Sequence, residues 1–163
     1  MSLVSPQTEP MSKMRLRLWL RLLKATSGIE AEIRRRLRDE CETTLPRFDV
    51  LSALSRYPDG LKMSEISALL KVSNGNVTGI VERLVDDGLA LRLAVPGDKR
   101  ANRVKLTAEG QSAFSDLAAK HEYWIDELMV GLDQTAIETC NGLFDQFGTS
   151  TDVEKTLEKV ATE

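Results

Sequence analysis

The stretch SNGNVTGIVERLVDDGL, residues 73–89, decides how this chain folds. Val77, Ile80, Val81, Leu84 and Val85 fall at i, i+3, i+4, i+7 and i+8, the spacing that lines apolar side chains along one face of an α-helix. Gly88 stands where such a helix should stop, since glycine enters the left-handed region at little cost. The other face carries Asn74, Gly75, Asn76, Thr78, Gly79, Glu82 and Arg83, mostly short and uncharged. A helix over 74–87 is predicted, greasy on one side and small and polar on the other.

Upstream, Ser64 is a candidate N-cap for a short helix over 65–70, in which Ile66, Leu69 and Leu70 face one way. Val72 and Ser73 make the turn between the two helices. Downstream, Leu89, Leu91, Leu93 and Val95 alternate with Ala90, Arg92 and Ala94. After Pro96-Gly97-Asp98, Val104 and Leu106 alternate with Arg103 and Lys105, which reads as a hairpin with a cationic polar face. Helix, short turn, amphipathic helix and cationic hairpin is the order of a winged helix-turn-helix, whose second helix buries one side and offers the other to a major groove. Asparagine pairs bidentately with adenine, and the glycines let backbone approach phosphate. Arg92, Lys99, Arg100, Arg103 and Lys105 supply sequence-blind phosphate contacts. The predicted fold class is therefore mainly α with a small β-hairpin wing.

The net charge of -3 over 163 residues hides a marked asymmetry. Nine cationic side chains face four acidic ones over 13–40, and five face only Asp98 over 92–105, whereas from Asp116 onward eleven acidic residues face three lysines. Basic patches beside acidic helices suit a DNA binder of modest total charge. No glycine-rich phosphate loop, nucleophile elbow or triad-like set is present, and His121 is the single histidine, which argues against an enzyme and against a metal site. No cofactor is expected. Cys41 and Cys140 are isolated, as in a reducing compartment. No apolar run approaches the ~18 residues of a membrane span, and the first eleven residues contain Pro6 and Pro10 but no apolar signal region. A cytoplasmic protein is expected, with no membrane partner.

Outside the core stretch, 13–38 reads as one long helix with Leu16, Trp19, Leu23, Ile33 and Leu37 near helical spacing, too long to be buried by the small domain after it. A second helix is expected over 44–57 with Pro46 in its first turn. Thr107 should cap a helix running to about Val130, and a last helical region is expected over 134–147 and 152–161, broken near Gly148. The division this implies is a disordered tail at 1–12, a dimerisation helix at 13–40, a DNA-binding winged domain at 41–107, and C-terminal dimerisation helices at 108–163.

Over 16–147 the chain resembles the MarR family of bacterial regulators, in Val77-Thr78, Val81-Glu82-Arg83-Leu84, Asp87-Gly88-Leu89, the wing Asp98-Lys99-Arg100 and the exit Leu106-Thr107-Ala108-Glu109-Gly110. The resemblance implies a homodimeric repressor on a pseudo-palindromic operator. It places Ser73, Asn74, Gly75, Asn76, Thr78 and Arg83 at the major groove and Arg100 in a minor groove, oriented by Asp98. Unlike many relatives, this chain has no cation at Asn74 or Gly79.

The resemblance further implies release from DNA by a small effector between the dimerisation helices and the winged lobe. Trp19, Leu22, Leu23, Phe48, His121 and Trp124 are the candidate lining, although such residues are as readily plain core. Arg34, Arg35, Arg36 and Arg38 form a candidate anion site, although a solvated face is the ordinary role of a charged run. The 16–38 segment and His121-Glu122-Tyr123-Trp124-Ile125 are similar to a subgroup that answers to aromatic acyl-coenzyme A thioesters such as hydroxycinnamoyl-CoA. Two alternatives stay open: a winged-helix protein-interaction module, against which the cationic wing argues, and a thiol-based redox sensor. Cys41 lies between Glu40 and Glu42, without the positive neighbours that a reactive thiolate needs.

Overall fold

The computed structural model describes residues 9–71, 73–95 and 98–146, with the side chains of Asn74, Val95 and 98–101 left aside. Helix α1 spans Met11–Cys41, α2 Leu45–Ser55, α3 Met63–Leu70, α4 Asn74–Asp86, α5 Ala108–Leu128 and α6 Gln134–Phe144. Strand β1 is Leu61–Lys62, β2 Ala90–Val95 and β3 Asp98–Leu106, in the antiparallel order β1-β3-β2. The chain is mainly helical with a small wing, as expected.

The core of the winged lobe forms where α2, α3 and α4 meet the sheet. Val77, Val81 and Leu84 of α4 are fully buried among Leu51, Leu54, Leu61, Ile66 and Val104. Burying each such side chain is worth about 1.5–3 kcal/mol, so three on one face fix the rotation of α4 and leave its other face outward. Asp87 and Gly88 end the helix, with Gly88 at φ +73°. Across β2 and β3, Ala90 faces Leu106 and Arg92 faces Val104, with an irregularity at Ala94/Val95.

Thr107 caps α5 by accepting from Gly110 N at 3.0 Å. A Cβ on Gly110 would lie 1.9 Å from the Leu89 carbonyl oxygen. The Thr-Ala-Glu-Gly exit therefore seats α5 directly on the backbone that leads into β2.

A second cluster joins α1 to this lobe: Ile33 and Leu37 of α1 pack with Phe48 of α2 and Trp124 of α5. The first turns of α1 are bare. Met11, Met14, Leu16, Leu18, Trp19, Leu20 and Leu23 are exposed, as are Ile137, Leu143 and Phe144 of α6.

Four expectations change. The first helix starts at Met11 and runs to Cys41, so the expected tail of 1–12 gives up its last two residues; 1–8 lie outside the described residues. Helix α3 opens at Met63, with Lys62 rather than Ser64 in the cap position, and Glu65 Oε2 accepts from Lys62 N at 2.7 Å. Strand β1, where Leu61 pairs with Val104 and Lys62 with Arg103, was not expected. Helix α6 ends at Phe144, and the helix expected over 152–161, with the break near Gly148, lies outside the described residues.

Candidate nucleic-acid interface and effector cleft

Helix α4 carries the candidate DNA face. Ser73 occupies its N-cap position and is exposed, as are Gly75, Asn76, Gly79, Glu82 and Arg83, while Thr78 is half-buried. Nothing lies within 4 Å of where a Cβ would stand on Gly75 or Gly79, so the helix surface there is low and open. Its first turn directs unbonded backbone N–H groups outward, which favours phosphate. Asn74 begins the helix, and Asp98, Lys99 and Arg100 begin β3. Their side chains, with the expected Asp98–Arg100 ion pair, lie outside the described residues.

Arg103 departs from expectation. It is half-buried, and its Nη1 donates to the Gly60 carbonyl at 2.9 Å. Gly60 has φ +84°, and a Cβ there would approach the Val104 oxygen to 2.8 Å. The guanidinium thus braces the turn ahead of β1 against β3, where a phosphate contact had been expected.

The expected effector residues do not converge. Trp19 is 55% exposed and sits 14 residues before Ile33, roughly 21 Å along the helix. Leu22 is half-buried and Leu23 exposed, and neither joins the cluster around Phe48 and Trp124. Phe48, His121 and Trp124 do come together. The imidazole stacks on Phe48 with ring centres 4.7 Å apart, and Trp124 is 3% exposed. His121 also borders a small apolar pocket of about 220 Å³ with Ile29, Ile33, Leu45 and Ile125. Burial pushes its pKa below the ordinary imidazole value, opposed by the charge of Asp49. Burial in turn raises the Asp49 pKa, against the pull of Arg34 and His121.

The arginine cluster is spent on carboxylates. Arg34 pairs with Glu30, Arg35 with Glu32 at 2.7 Å and Asp39 at 3.2 Å, and Arg38 with Asp39 at 3.4 Å. Arg36 bonds Glu32 at 2.8 Å and reaches across to Glu127 of α5 at 2.6 Å. Hydrogen bonds from Arg35 and Arg36 hold Glu32 at a pKa of about 2. An anion would have to displace these partners, so the structure supplies no open phosphate cradle here.

A larger cleft of about 580 Å³ was not foreseen. It runs from the end of α1 past Thr44, which caps α2, Arg47 of α2, and Ile80 and Arg83 of α4 to Asp116 and Lys120 of α5. Arg47 bridges α2 to α4 by a 2.6 Å contact with Asp87. Arg83 therefore belongs to both surfaces: it is exposed on α4 and lines this cleft. At its edge the Lys120 ammonium donates to Cys41 Sγ at 3.7 Å. That contact corrects the view of Cys41 as flanked by acids alone. Its signal was not readable, because the two residues lie 79 positions apart.

No helix among the described residues is long and apolar enough to cross a membrane. No group of three or more His, Cys, Asp or Glu among the described residues is placed to hold a metal ion.

The MarR family model matches residues 43–101. The HTH-type transcriptional regulator MhqR of Bacillus subtilis is 27% identical over 101 residues, which cover 62% of this chain and 69% of MhqR. A MarR family transcriptional regulator from Silicibacter pomeroyi has a crystal structure similar to this one at TM-score 0.69 and 30% identity, over 85% of this chain and 95% of that one. A mutant MarR from E. coli, solved in complex with operator DNA, shares the fold at TM-score 0.69 and 22% identity, over 85% of this chain and 98% of its own.

Proposed function

This chain belongs to the MarR family of DNA-binding transcriptional regulators, and on that premise we propose that it is a homodimeric repressor released from a pseudo-palindromic operator by a small effector. The observation that carries the reading is the rotation of α4. Val77, Val81 and Leu84 are buried, so Ser73, Gly75, Asn76 and Gly79 stand free at the surface. Asn74, Thr78 and Arg83 extend that edge, and Asp98, Lys99 and Arg100 serve as the wing contacts that the family resemblance implies.

The bare apolar residues of α1 and α6 support dimerisation. A second copy covering Leu16, Leu20, Leu143 and Phe144 would remove these exposed apolar side chains from water. Two-fold symmetry then sets the half-sites one turn of duplex apart, roughly 34 Å.

For the effector we assign the 580 Å³ cleft, whose walls include α4 itself. A molecule lodged between Arg47, Arg83 and Lys120 competes with the Arg47–Asp87 bridge and so acts on the placement of α4. The three cations suit a carboxylate or thioester-linked aromatic acid, which makes p-coumaroyl-CoA and free phenolic acids the probes of choice.

A gel shift on the promoter fragment beside its own gene tests the reading, run at two salt concentrations with and without those compounds. Specific binding should exceed that to random DNA by at least about a thousandfold and weaken steeply with salt. Equal affinity for both fragments refutes the regulator reading at this promoter. Specific binding that no compound relieves refutes only the effector assignment.

A further inference from the structure

Cys41 closes α1 and Lys120 lies on α5, and the ammonium rests 3.7 Å from the sulfur. Carboxylates are available to that lysine, since Glu42 and Asp116 line the same cleft, yet it is directed at the thiol. Cys41 is a free, half-buried thiol beside a cleft of about 580 Å³ that small oxidants can enter. Thr43 lines that cleft as well. It is buried to 9% exposure, and its hydroxyl has no hydrogen-bond partner. A sulfur and a nitrogen therefore border one space, and an orphaned hydroxyl is buried in a residue of its wall.

We propose that Cys41 and Lys120 form an oxidative modification site, at which one oxygen atom is inserted to give a covalent S–O–N link between α1 and α5. Dioxygen is the oxidant. The lysine first yields its ammonium proton to solvent. The S–H bond and one N–H bond then break, and S–O and N–O bonds form. Sulfur and nitrogen give up two electrons each; the four electrons reduce dioxygen, one atom of which becomes the bridge while the other leaves as water with the two released protons. The inserted atom spans most of the present gap, and rotation of the long lysine side chain covers the rest. Closing this link pins the base of α1 to α5 along the edge of the cleft whose far wall is α4.

Mass spectrometry of the full chain, prepared in air and in parallel under anaerobic reduction, tests this. The expected result is a gain of about 14 Da in the air-exposed protein, reversed by dithiothreitol, with a cross-linked peptide pair holding Cys41 and Lys120. Cys41→Ser and Lys120→Arg should both lose it, with circular dichroism reporting their folding, while Cys140→Ser retains it. A gain of about 16 or 32 Da confined to Cys41, an unchanged mass, or a link that survives Lys120→Arg overturns the proposal. Peptide mapping of the unsubstituted protein decides the matter even if a variant fails to fold.

Discussion

Gly110→Ala asks how tightly the winged lobe is seated on α5. The added methyl would stand 1.9 Å from the Leu89 oxygen, 2.8 Å from its carbonyl carbon and 3.2 Å from its Cα. Carbon and oxygen at rest lie more than about 3 Å apart, so something must yield by over an ångström, and the obstacle is backbone. That carbonyl accepts from Thr107 N at 3.0 Å, while Leu89 N donates to Leu84 O at 2.9 Å and Thr107 Oγ1 donates to Gly88 O at 2.7 Å. Moving the start of α5 away sacrifices the two Thr107 bonds, about 1 kcal/mol each. Residual overpacking adds about 1–3 kcal/mol. Alanine's helix preference returns at most about 1 kcal/mol, less in a first turn. The net loss is about 2–5 kcal/mol. Urea unfolding followed by circular dichroism should show it, at matched protomer concentration because the proposed dimerisation would contribute to stability. A midpoint equivalent to less than about 0.5 kcal/mol from the parent would refute the claim that this contact is rigid.

Gly79→Ala should do the reverse: with open space around it, stability rises by about 0.5–1 kcal/mol while operator affinity in a gel shift falls, since the new methyl faces the duplex. Asp49→Asn is expected to raise the melting temperature at pH 7. A folded-state pKa raised above the ordinary aspartate value means that Asp49 favours folding only when protonated, and that contribution is lost as pH rises through the folded pKa; the gain should vanish near pH 3, and a gain independent of pH would refute it. His121 works in the opposite sense. Its lowered pKa means stability falls as pH drops below about 6.5, and proton NMR of the imidazole should titrate below that value. Leu16→Glu with Leu20→Glu should turn the proposed dimer into a monomer on light scattering, and an unchanged mass would remove α1 from the interface.

The legible parts of the fold were those written by local rules. The apolar stripe of α4, its stop at Gly88 and the Thr107 cap each depend on neighbours within a few positions, so the order of residues suffices to read them. Strand β1 has two residues, too few to show alternation, and exists only because β3 lies beside it. The pairing of Arg34 and Arg35 is readable in the sequence, since Glu30, Glu32 and Asp39 stand three or four positions away. Arg36–Glu127, Arg103–Gly60 and Cys41–Lys120 join residues 91, 43 and 79 positions apart, and no local pattern announces them. Trp19 fits the apolar stripe of α1, which outruns the winged lobe as its length foretells, so its place on that stripe puts it outside the cluster around Phe48 and Trp124.

That overrun has a mechanical meaning. Thirty-one residues of helix make a rod of about 46 Å, and among the described residues its own lobe buries only Ile33 and Leu37. The winged lobe hangs from one end of a lever whose other end lies beyond its reach. Whatever grips the far arm sets the pitch at which the reading head meets its track. A tilt of some ten degrees there swings the arm's length by roughly 8 Å, about a quarter of a duplex turn. In the proposed dimer, alignment with DNA would be governed by leverage at a distance, and a small disturbance near the pivot would be enough to spoil the match.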